Sequence, residues 1–249
     1  MRIDKLLSDM GLYTRRETAK LVKQKAVTLD GKPVSSPSLH LDPDKQTLCI
    51  HGQPVRYQRF FYLMLNKPEG YVSSTDDPGA PTVLELLPEQ HQRLGLFPCG
   101  RLDRNTVGLL LLTNDGETAH RLLSPKHHVA KDYAFRMKFP VSETDRCALE
   151  AGVELETGYR TLPCRVRLSS PTEGVITLTE GKYHQIKLMA KAVHNQIVFL
   201  ERIRFGPLTL DPALERGAWR ELRPEEIQAL CGETDGSQKT EGTTPSVSK

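Results

Sequence analysis

The four consecutive leucines at residues 109–112 restrict the fold of this 249-residue chain more than any other feature of its sequence. Neighbouring side chains of a strand point to opposite faces of the sheet, so an unbroken apolar run needs cover on both sides. The Asn114-Asp115-Gly116 triplet that follows is typical of a turn. The run therefore predicts a strand that is buried on both faces and is followed by a turn.

The chain beyond residue 59 contains more predicted strands than helices. Strand-like runs fall at 61–65, 109–113, 133–139, 165–168 and 175–179, and helical stretches at 117–123, 143–151 and 186–193. This balance favours an α+β fold with a mixed, mostly antiparallel sheet in a larger domain, which we place at residues 59–231. Residues 232–249 are rich in Gly, Ser and Thr and contain one apolar residue, Val247, so we expect a disordered tail.

Residues 1–58 have the pattern of a separate small domain. One apolar helix face is predicted from residues at helical spacing, which are Ile3, Leu6, Leu7 and Met10. Thr14 and Glu17 have the spacing of a capping box and predict the start of a second helix. The Asp30-Gly31 pair predicts a tight hairpin turn, and a further short strand is expected at 48–50.

Positive charge is concentrated in this small domain. Residues 1–60 contain eleven Lys and Arg against six Asp and Glu, whereas the rest of the chain has a small negative surplus. The second predicted helix carries four basic residues, Arg15, Arg16, Lys20 and Lys23. This distribution indicates a polyanionic partner, and a simple solvated basic face is the alternative.

Two segments of this domain, R-I-D-K-L-L-S-D-M-G-L-Y-T-R-R-E and A-V-T-L-D-G-K-P-V, resemble the S4 RNA-binding domain. The resemblance implies a small, αL-type S4 domain over residues 1–58. It also implies that the basic residues of the second helix contact the phosphates of folded RNA, which supply affinity and position but little sequence information.

Asp103 is the first candidate for chemistry, because it stands just before the leucine run with Arg101 and Arg104 beside it. Nearby positive charge favours the ionised form of a carboxylate, and such a carboxylate can act as a nucleophile or as a base. A structural ion pair between Asp103 and an arginine is the alternative that this spacing allows.

The whole segment G-R-L-D-R-N-T-V-G-L-L-L-L-T-N-D-G, residues 100–116, resembles the signature loop of the RsuA/RluB-type ribosomal pseudouridine synthases. The resemblance implies that Asp103 is the essential catalytic aspartate. It also implies that Arg101 fills the space that a flipped nucleotide leaves in an RNA helix.

Three further blocks resemble motifs of the same family, and all four blocks follow in the family's order. Residues 65–78, L-N-K-P-E-G-Y-V-S-S-T-D-D-P, are similar to its K-P-x-G-x-x-x-S motif, for which we expect a structural role beside the active site. Lys131-Asp132-Tyr133 is similar to K-x-Y, which implies that Tyr133 lies against the target base. Residues 180–189, E-G-K-Y-H-Q-I-K-L-M, imply that Lys187 pairs with the catalytic aspartate, and their Y-H-Q pattern looks closest to the small-subunit members.

The resemblance implies isomerisation of a specific uridine in small-subunit 16S rRNA, at a pseudouridine-516-type site. The base is flipped out of its helix, the N1–C1′ bond is broken, and the base is rejoined through C5. Asp103 either adds to C1′ or removes a proton from C2′, and the sequence is compatible with both routes. No cofactor and no metal are expected, in line with the lack of a metal-ligand cluster or a nucleotide-binding fingerprint in the sequence.

Two other functions share parts of this pattern. An S4 protein that assists ribosome assembly without catalysis would not depend on Asp103. A glycoside hydrolase needs two carboxylates beside the scissile bond, for which Glu180 and Asp115 are the available residues.

The sequence also leads to expectations about partners and location. The partner is ribosomal RNA or a small-subunit assembly particle, and the protein is expected to be a monomer. No run of about 18 apolar residues is present and the N-terminus lacks a signal-peptide core, so we expect a cytoplasmic protein without membrane contact.

Overall fold

The computed structural model describes residues 1–232, and these form two regions with separate hydrophobic cores. The predicted tail at 232–249 lies outside the described residues except for Gly232. The N-terminal region contains helices α1 (Ile3–Asp9) and α2 (Arg15–Lys23), followed by strands β1 (Val27–Leu29), β2 (Lys32–Pro33), β3 (Leu48–Ile50) and β4 (Gln53–Pro54). The four strands form an antiparallel sheet in the order β2-β1-β3-β4.

Local sequence signals determine where the N-terminal elements begin and end. The Thr14 hydroxyl accepts a hydrogen bond from the Glu17 amide at 3.2 Å, and the Glu17 carboxylate accepts one from the Thr14 amide at 2.7 Å, which confirms the capping box. Asp30 and Gly31 both have positive φ angles, 49° and 77°, as the tight turn between β1 and β2 requires. The apolar face of α1 lies in the core of this region.

The larger region is built on one nine-stranded sheet. Its strands are β5 (Tyr62–Lys67), β6 (Phe97–Cys99), β7 (Val107–Thr113), β8 (Lys131–Met137), β9 (Arg165–Leu168), β10 (Glu173–Leu178), β11 (Ile197–Phe205), β12 (Leu208–Thr209) and β13 (Trp219–Glu221). The main order is β13-β5-β7-β11-β8-β10-β9, with β6 on β7 and β12 on β11. The β7–β11 pair is parallel and the other pairs of this described sheet are antiparallel, which confirms the mixed, mostly antiparallel α+β fold.

Helices cover this sheet and connect its strands. They are α3 (Glu89–Gln92), α4 (Gly116–Leu123), α5 (Glu143–Ala151), α6 (Gln185–Ala192) and α7 (Pro224–Gly232), with short 3-10 helices at Val83–Leu86 and Pro125–His127. Asp115 begins α4 by accepting hydrogen bonds from the amides of Glu117 and Thr118. None of the helices in residues 1–232 is long and apolar enough to cross a membrane.

The leucine run forms the buried strand that its pattern predicts. All seven residues of β7 are buried. Leu110 and Leu112 belong to one hydrophobic core, and Leu109 and Leu111 belong to the core on the other face. Since burial of each leucine side chain contributes about 1.5–3 kcal/mol, β7 joins the two faces of the domain into one stable unit.

Strand β11 is the main element that the sequence patterns did not predict. It lies between β7 and β8 near the middle of the sheet, although its second half contains Glu201, Arg202 and Arg204. Arg202 is only 2% exposed, and its Nε atom donates a hydrogen bond to the Leu109 carbonyl at 2.8 Å. A buried arginine that bonds to the backbone interrupts the apolar pattern without interrupting the strand.

A glycine permits the close approach of β11 to β7. Gly108 has a φ of +98°, and a Cβ atom at this position would lie 2.4 Å from the Arg202 carbonyl oxygen. No L side chain fits between the two backbones there. Gly108 therefore holds the parallel pair together directly behind the segment that carries Asp103.

The small region packs on the large one through α3. A Cβ atom on Gly11 would lie 2.3 Å from the Gln90 carbonyl oxygen, and Glu17 lies 4.0 Å from Arg93. The domain boundary near residue 58 stays a prediction.

Candidate active site

The segment at residues 100–106, between β6 and β7, carries Asp103 and is held by a buried lysine. Lys67 lies at the end of β5 with no exposed surface. Its Nζ atom donates hydrogen bonds to the carbonyl oxygens of Pro68 at 3.1 Å, Asp103 at 3.1 Å, Arg104 at 3.2 Å and Thr106 at 2.9 Å. Burial lowers the pKa of Lys67 to about 8. One ammonium group thus organises a loop that has no regular backbone pairing of its own.

Two further contacts join the loop to residues 70–73. The Ser73 hydroxyl donates a hydrogen bond to the Leu102 carbonyl and accepts one from the Leu102 amide, both at 3.0 Å. The Gly70 amide donates to the Arg104 carbonyl at 2.9 Å, and the Arg104 guanidinium donates back to the Gly70 carbonyl at 3.0 Å. The K-P-x-G-x-x-x-S segment therefore supports the Asp103 loop, as expected for a structural element beside the site.

The start of α6 supplies the partners of the Asp103 carboxylate. The Nζ atom of Lys187 lies 2.5 Å from Oδ2, and the Nε2 atom of His184 lies 3.5 Å from Oδ1. His184 directly precedes the first residue of α6 and Lys187 lies in its first turn, so the start of one helix brings both side chains to the carboxylate. Lys187 also donates a hydrogen bond to the Asn105 side-chain oxygen.

The expected neighbours Arg101 and Arg104 do not pair with this carboxylate. Arg104 turns to the Gly70 carbonyl, and Arg101 is exposed at the mouth of the site. Adjacent positions in a loop point in different directions, so proximity in sequence did not produce contact. The positive charge beside Asp103 comes from Lys187 instead, 84 residues away in the chain.

A pocket opens beside the Asp103 carboxylate. Tyr133, on β8, is 9% exposed and lines this pocket together with apolar side chains from three other elements, Leu178, Ile186 and Leu200. Arg101 and Lys187 also line this pocket. A pocket with aromatic and aliphatic side chains as well as a paired carboxylate suits a flat, uncharged ring that is joined to a polar sugar.

Sequence reasoning missed His184 as a site residue. The Y-H-Q pattern contained it, but nothing in that pattern indicated where its imidazole would lie. In the structure His184 has a φ of +51°, an uncommon conformation for a residue other than glycine. Such backbone conformations occur preferentially at functional sites.

The two carboxylates considered for a hydrolase are engaged elsewhere. Glu180 accepts hydrogen bonds from the Tyr159 hydroxyl, the Leu162 amide and the Gln185 side chain at 2.6–2.9 Å. Asp115 caps α4 and accepts a hydrogen bond from the Tyr62 hydroxyl at 2.6 Å. Glu180 lines the pocket, but these bonds hold it in the wall, so the geometry does not favour the paired carboxylates of a hydrolase.

The predicted RNA-binding side chains lie apart from this pocket. All four are exposed on α2, and none of them lines the pocket of Asp103; they are Arg15, Arg16, Lys20 and Lys23. No group of three or more His, Cys, Asp or Glu side chains within residues 1–232 is arranged to hold a metal ion.

Each of the two regions of the chain matches a known protein family. Residues 61–192 match the RNA pseudouridylate synthase family, and residues 1–46 match the S4 domain. An uncharacterized RNA pseudouridine synthase of Bacillus subtilis (strain 168) is 48% identical over 234 residues, which cover 92% of this chain and 98% of that protein.

Two relatives with a more specific name are similar over the same length. The ribosomal small subunit pseudouridine synthase A of Yersinia pestis is 40% identical, over 92% of this chain and 98% of that protein. The enzyme of the same name from Escherichia coli (strain K12) is 39% identical, over 92% of this chain and all of that protein.

A solved structure shows the same architecture. The crystal structure of a pseudouridylate synthase superposes with a TM-score of 0.66 at 34% identity, over 92% of this chain and 99% of the other. Sequence and fold agree over both regions of the chain. The protein is therefore a pseudouridine synthase of the RNA pseudouridylate synthase family, with an S4 domain before its catalytic domain.

Proposed function

We propose that this enzyme converts one uridine of small-subunit 16S rRNA, at a pseudouridine-516-type site, to pseudouridine. The support is the similarity, over nearly the whole chain, to relatives that are named ribosomal small subunit pseudouridine synthase A. The substrate is the RNA itself or a small-subunit assembly particle. The protein acts as a monomer in the cytoplasm, where this RNA is folded.

The observation that carries the proposed chemistry is the Asp103 carboxylate at the pocket, held by Lys187 at 2.5 Å. The target uridine must leave its helix before C1′ can reach this carboxylate. The N1–C1′ bond then breaks, and the base turns and forms the C5–C1′ bond. C5 loses its proton and N1 gains one, so the product is an isomer of the substrate and no oxidant, reductant or other group is consumed.

Asp103 can have either of two roles in this reaction, and both need an ionised carboxylate beside the ribose. It adds to C1′ as a nucleophile, or it removes the C2′ proton and leaves a glycal. Lys187 bonds to the carboxylate and fixes its direction. Tyr133 packs against the uracil ring, and Arg101, at the mouth of the pocket, occupies the gap in the RNA helix.

The S4 domain holds the RNA while the catalytic domain acts on it. Exposed basic side chains on α2 contact phosphates, which provide affinity without base recognition. Selection of the uridine then depends on the shape of the folded RNA and on the pocket of Asp103.

The test is incubation of the protein with 16S rRNA and with small-subunit particles, followed by nucleoside analysis and mapping of the modified position. The matched pair is Asp103→Asn and Asp44→Asn, since Asp44 is an exposed carboxylate in the S4 domain. We expect pseudouridine with the wild type and with Asp44→Asn, and none with Asp103→Asn. In Asp103→Asn, Lys187 keeps its bond to Asn105, so melting temperature and RNA affinity should stay near wild type.

Two results would contradict the proposal. Near wild-type turnover of Asp103→Asn would remove this residue from the chemistry. Pseudouridine that appears only in large-subunit RNA would overturn the substrate assignment and leave the reaction in place.

A further inference from the structure

Tyr183 is the most exposed large hydrophobic side chain of the described residues, at 78%. Its ring stacks on the His184 imidazole with a centroid distance of 3.9 Å and an angle of 17° between the planes. Only one face of the phenol ring is covered in this way. The other face is presented to solvent, although removal of an aromatic ring from water is energetically favourable.

The stacked pair is held in a defined position relative to the active site. His184 has the left-handed backbone conformation described above, and its Nε2 atom lies 3.5 Å from Oδ1 of Asp103. Asp103 is in turn fixed by Lys187. The open face of Tyr183 is therefore linked to the catalytic carboxylate through one intervening ring.

Tyr183 borders a groove that continues from the pocket of Asp103. Three cations line this groove, Arg101, Arg104 and Lys182, against the carboxylates of Asp77 and Asp103. Leu123 and Ser74 also line the groove. The surplus of positive charge matches the phosphates of a nucleic-acid strand on either side of the nucleotide in the pocket.

We propose that Tyr183, backed by His184, is a stacking platform for the nucleobase next to the target uridine. The inference rests on the proposed function, in which the uridine is flipped into the pocket of Asp103. Flipping removes a stacking partner from each neighbouring base. An exposed ring beside the pocket replaces that partner for one of the two neighbouring bases, while Arg101 serves the other, and it does so for any base, because every base has a flat face.

The platform adds a site for a neighbouring nucleotide to the site for the uridine. Removal of a base–aromatic stack weakens affinity by roughly 5- to 150-fold. We therefore expect Tyr183→Ala to lower RNA affinity within this range. Tyr183→Phe should stay near wild type, because it keeps the ring and loses only the hydroxyl.

The experiment uses single-stranded RNA pentamers with a central uridine and the fluorescent base 2-aminopurine on its 5′ or its 3′ side. Stacking quenches 2-aminopurine, so titration with the full-length protein reports affinity and stacking together. The wild type and Tyr183→Phe should quench the probe on one side of the uridine, and Tyr183→Ala should lose that quenching. Phe139→Ala is the control, because Phe139 is also well exposed but does not line the groove or the pocket.

Absence of quenching on both sides with the wild type would overturn the platform, and so would equal quenching with Tyr183→Ala. Equal losses in Tyr183→Phe and Tyr183→Ala would assign the effect to the hydroxyl and also overturn it. The binding readout needs no turnover. A protein that quenches through Tyr183 but forms no pseudouridine in 16S rRNA would keep the platform and contradict the proposed substrate.

Discussion

The Nζ atom of Lys187 lies 2.5 Å from Oδ2 of Asp103, and the same atom also bonds to the side chain of Asn105. Both members of the pair are about one quarter exposed. Water therefore screens the pair only in part, and each charge depends on the other for its direction. Lys187 is bound to two residues of the same loop, so it positions the loop as well as the carboxylate.

Loss of the Lys187 charge should reduce pseudouridine formation by about 100-fold or more, because a small misplacement of a reacting group has effects of this size. We expect this for Lys187→Met, with partial activity in Lys187→Arg. The measurement is the single-turnover rate at saturating RNA. Lys191→Met, one turn further along α6 in an exposed pair with Glu156, should behave as wild type. A wild-type rate in Lys187→Met would show that the pair is only structural.

Activity should fall as the pH rises past about 8. Burial lowers the pKa of Lys67 from 10.5 to about 8, and the neutral amine has one hydrogen fewer to donate to the four carbonyl oxygens around it. The loop of Asp103 then loses a contact. The measurement is the pH profile of the single-turnover rate.

The fall in activity would not result from unfolding of the protein when Lys67 loses its proton. The unfolded chain keeps the proton on Lys67 up to about pH 10.5, whereas the folded chain releases it near 8. Between these values the unfolded state binds more protons, so the contribution of Lys67 to the free energy of unfolding rises with pH. Lys131 is the control, because burial also lowers its pKa to about 8. A fall that disappears in Lys131→Met would assign the profile to that residue and not to Lys67.

Gly108→Ala should destabilise the protein by about 3 kcal/mol, through strain at φ +98° and a clash with the Arg202 carbonyl. Gly158→Ala separates the two effects, because Gly158 has a φ of +78° but no atom within 4 Å of its Cβ position. It should cost only about 1–2 kcal/mol. Urea unfolding of both variants checks this, and equal losses would mean that the close approach of β7 and β11 adds nothing.

Replacement of the four basic residues of α2 by Ala should weaken RNA binding and flatten its salt dependence. Each lost phosphate contact should reduce the slope by roughly 0.7–0.9. The four residues are Arg15, Arg16, Lys20 and Lys23. The measurement is a salt titration of RNA affinity, with Lys45→Ala as the control, since Lys45 is paired with Asp42. An unchanged slope in the quadruple variant would indicate that this helix face is only solvated.

The elements that sequence patterns predicted are those whose signals are local. The capping box of Thr14 and Glu17 and the turn at Asp30-Gly31 involve residues at most three apart, and each forms as expected. The leucine run at residues 109–112 predicted a buried strand from its own residues, without knowledge of the strands that pair with it. Strand β11 was missed because Arg202 is buried through a bond to the Leu109 carbonyl, a contact across 93 positions that no periodicity contains.

In the active site, too, local features could be predicted from the sequence and long-range contacts could not. Asp103 stood out from its own segment, but Lys187 was paired with it only through resemblance, because spacing cannot join residues 84 positions apart. The ion pair with an arginine, which the spacing allowed as an alternative, does not form, since side-chain direction in a loop depends on its backbone. His184 was not identified, because its place beside Asp103 follows from a left-handed backbone conformation that its neighbours do not predict.

The lysine that holds the Asp103 loop limits how this site can be engineered. Residues 100–106 take their shape from Lys67, which belongs to another strand and bonds to backbone atoms rather than to particular side chains. Lys67 therefore makes no demand on the side chains of the loop, but it restricts the loop's length, because an insertion would move the carbonyl oxygens away from one shared donor. A transplant of the loop into another scaffold would fail unless the end of β5 came with it. The smallest part that could be transferred consists of the end of β5 with Lys67 and the loop at residues 100–106.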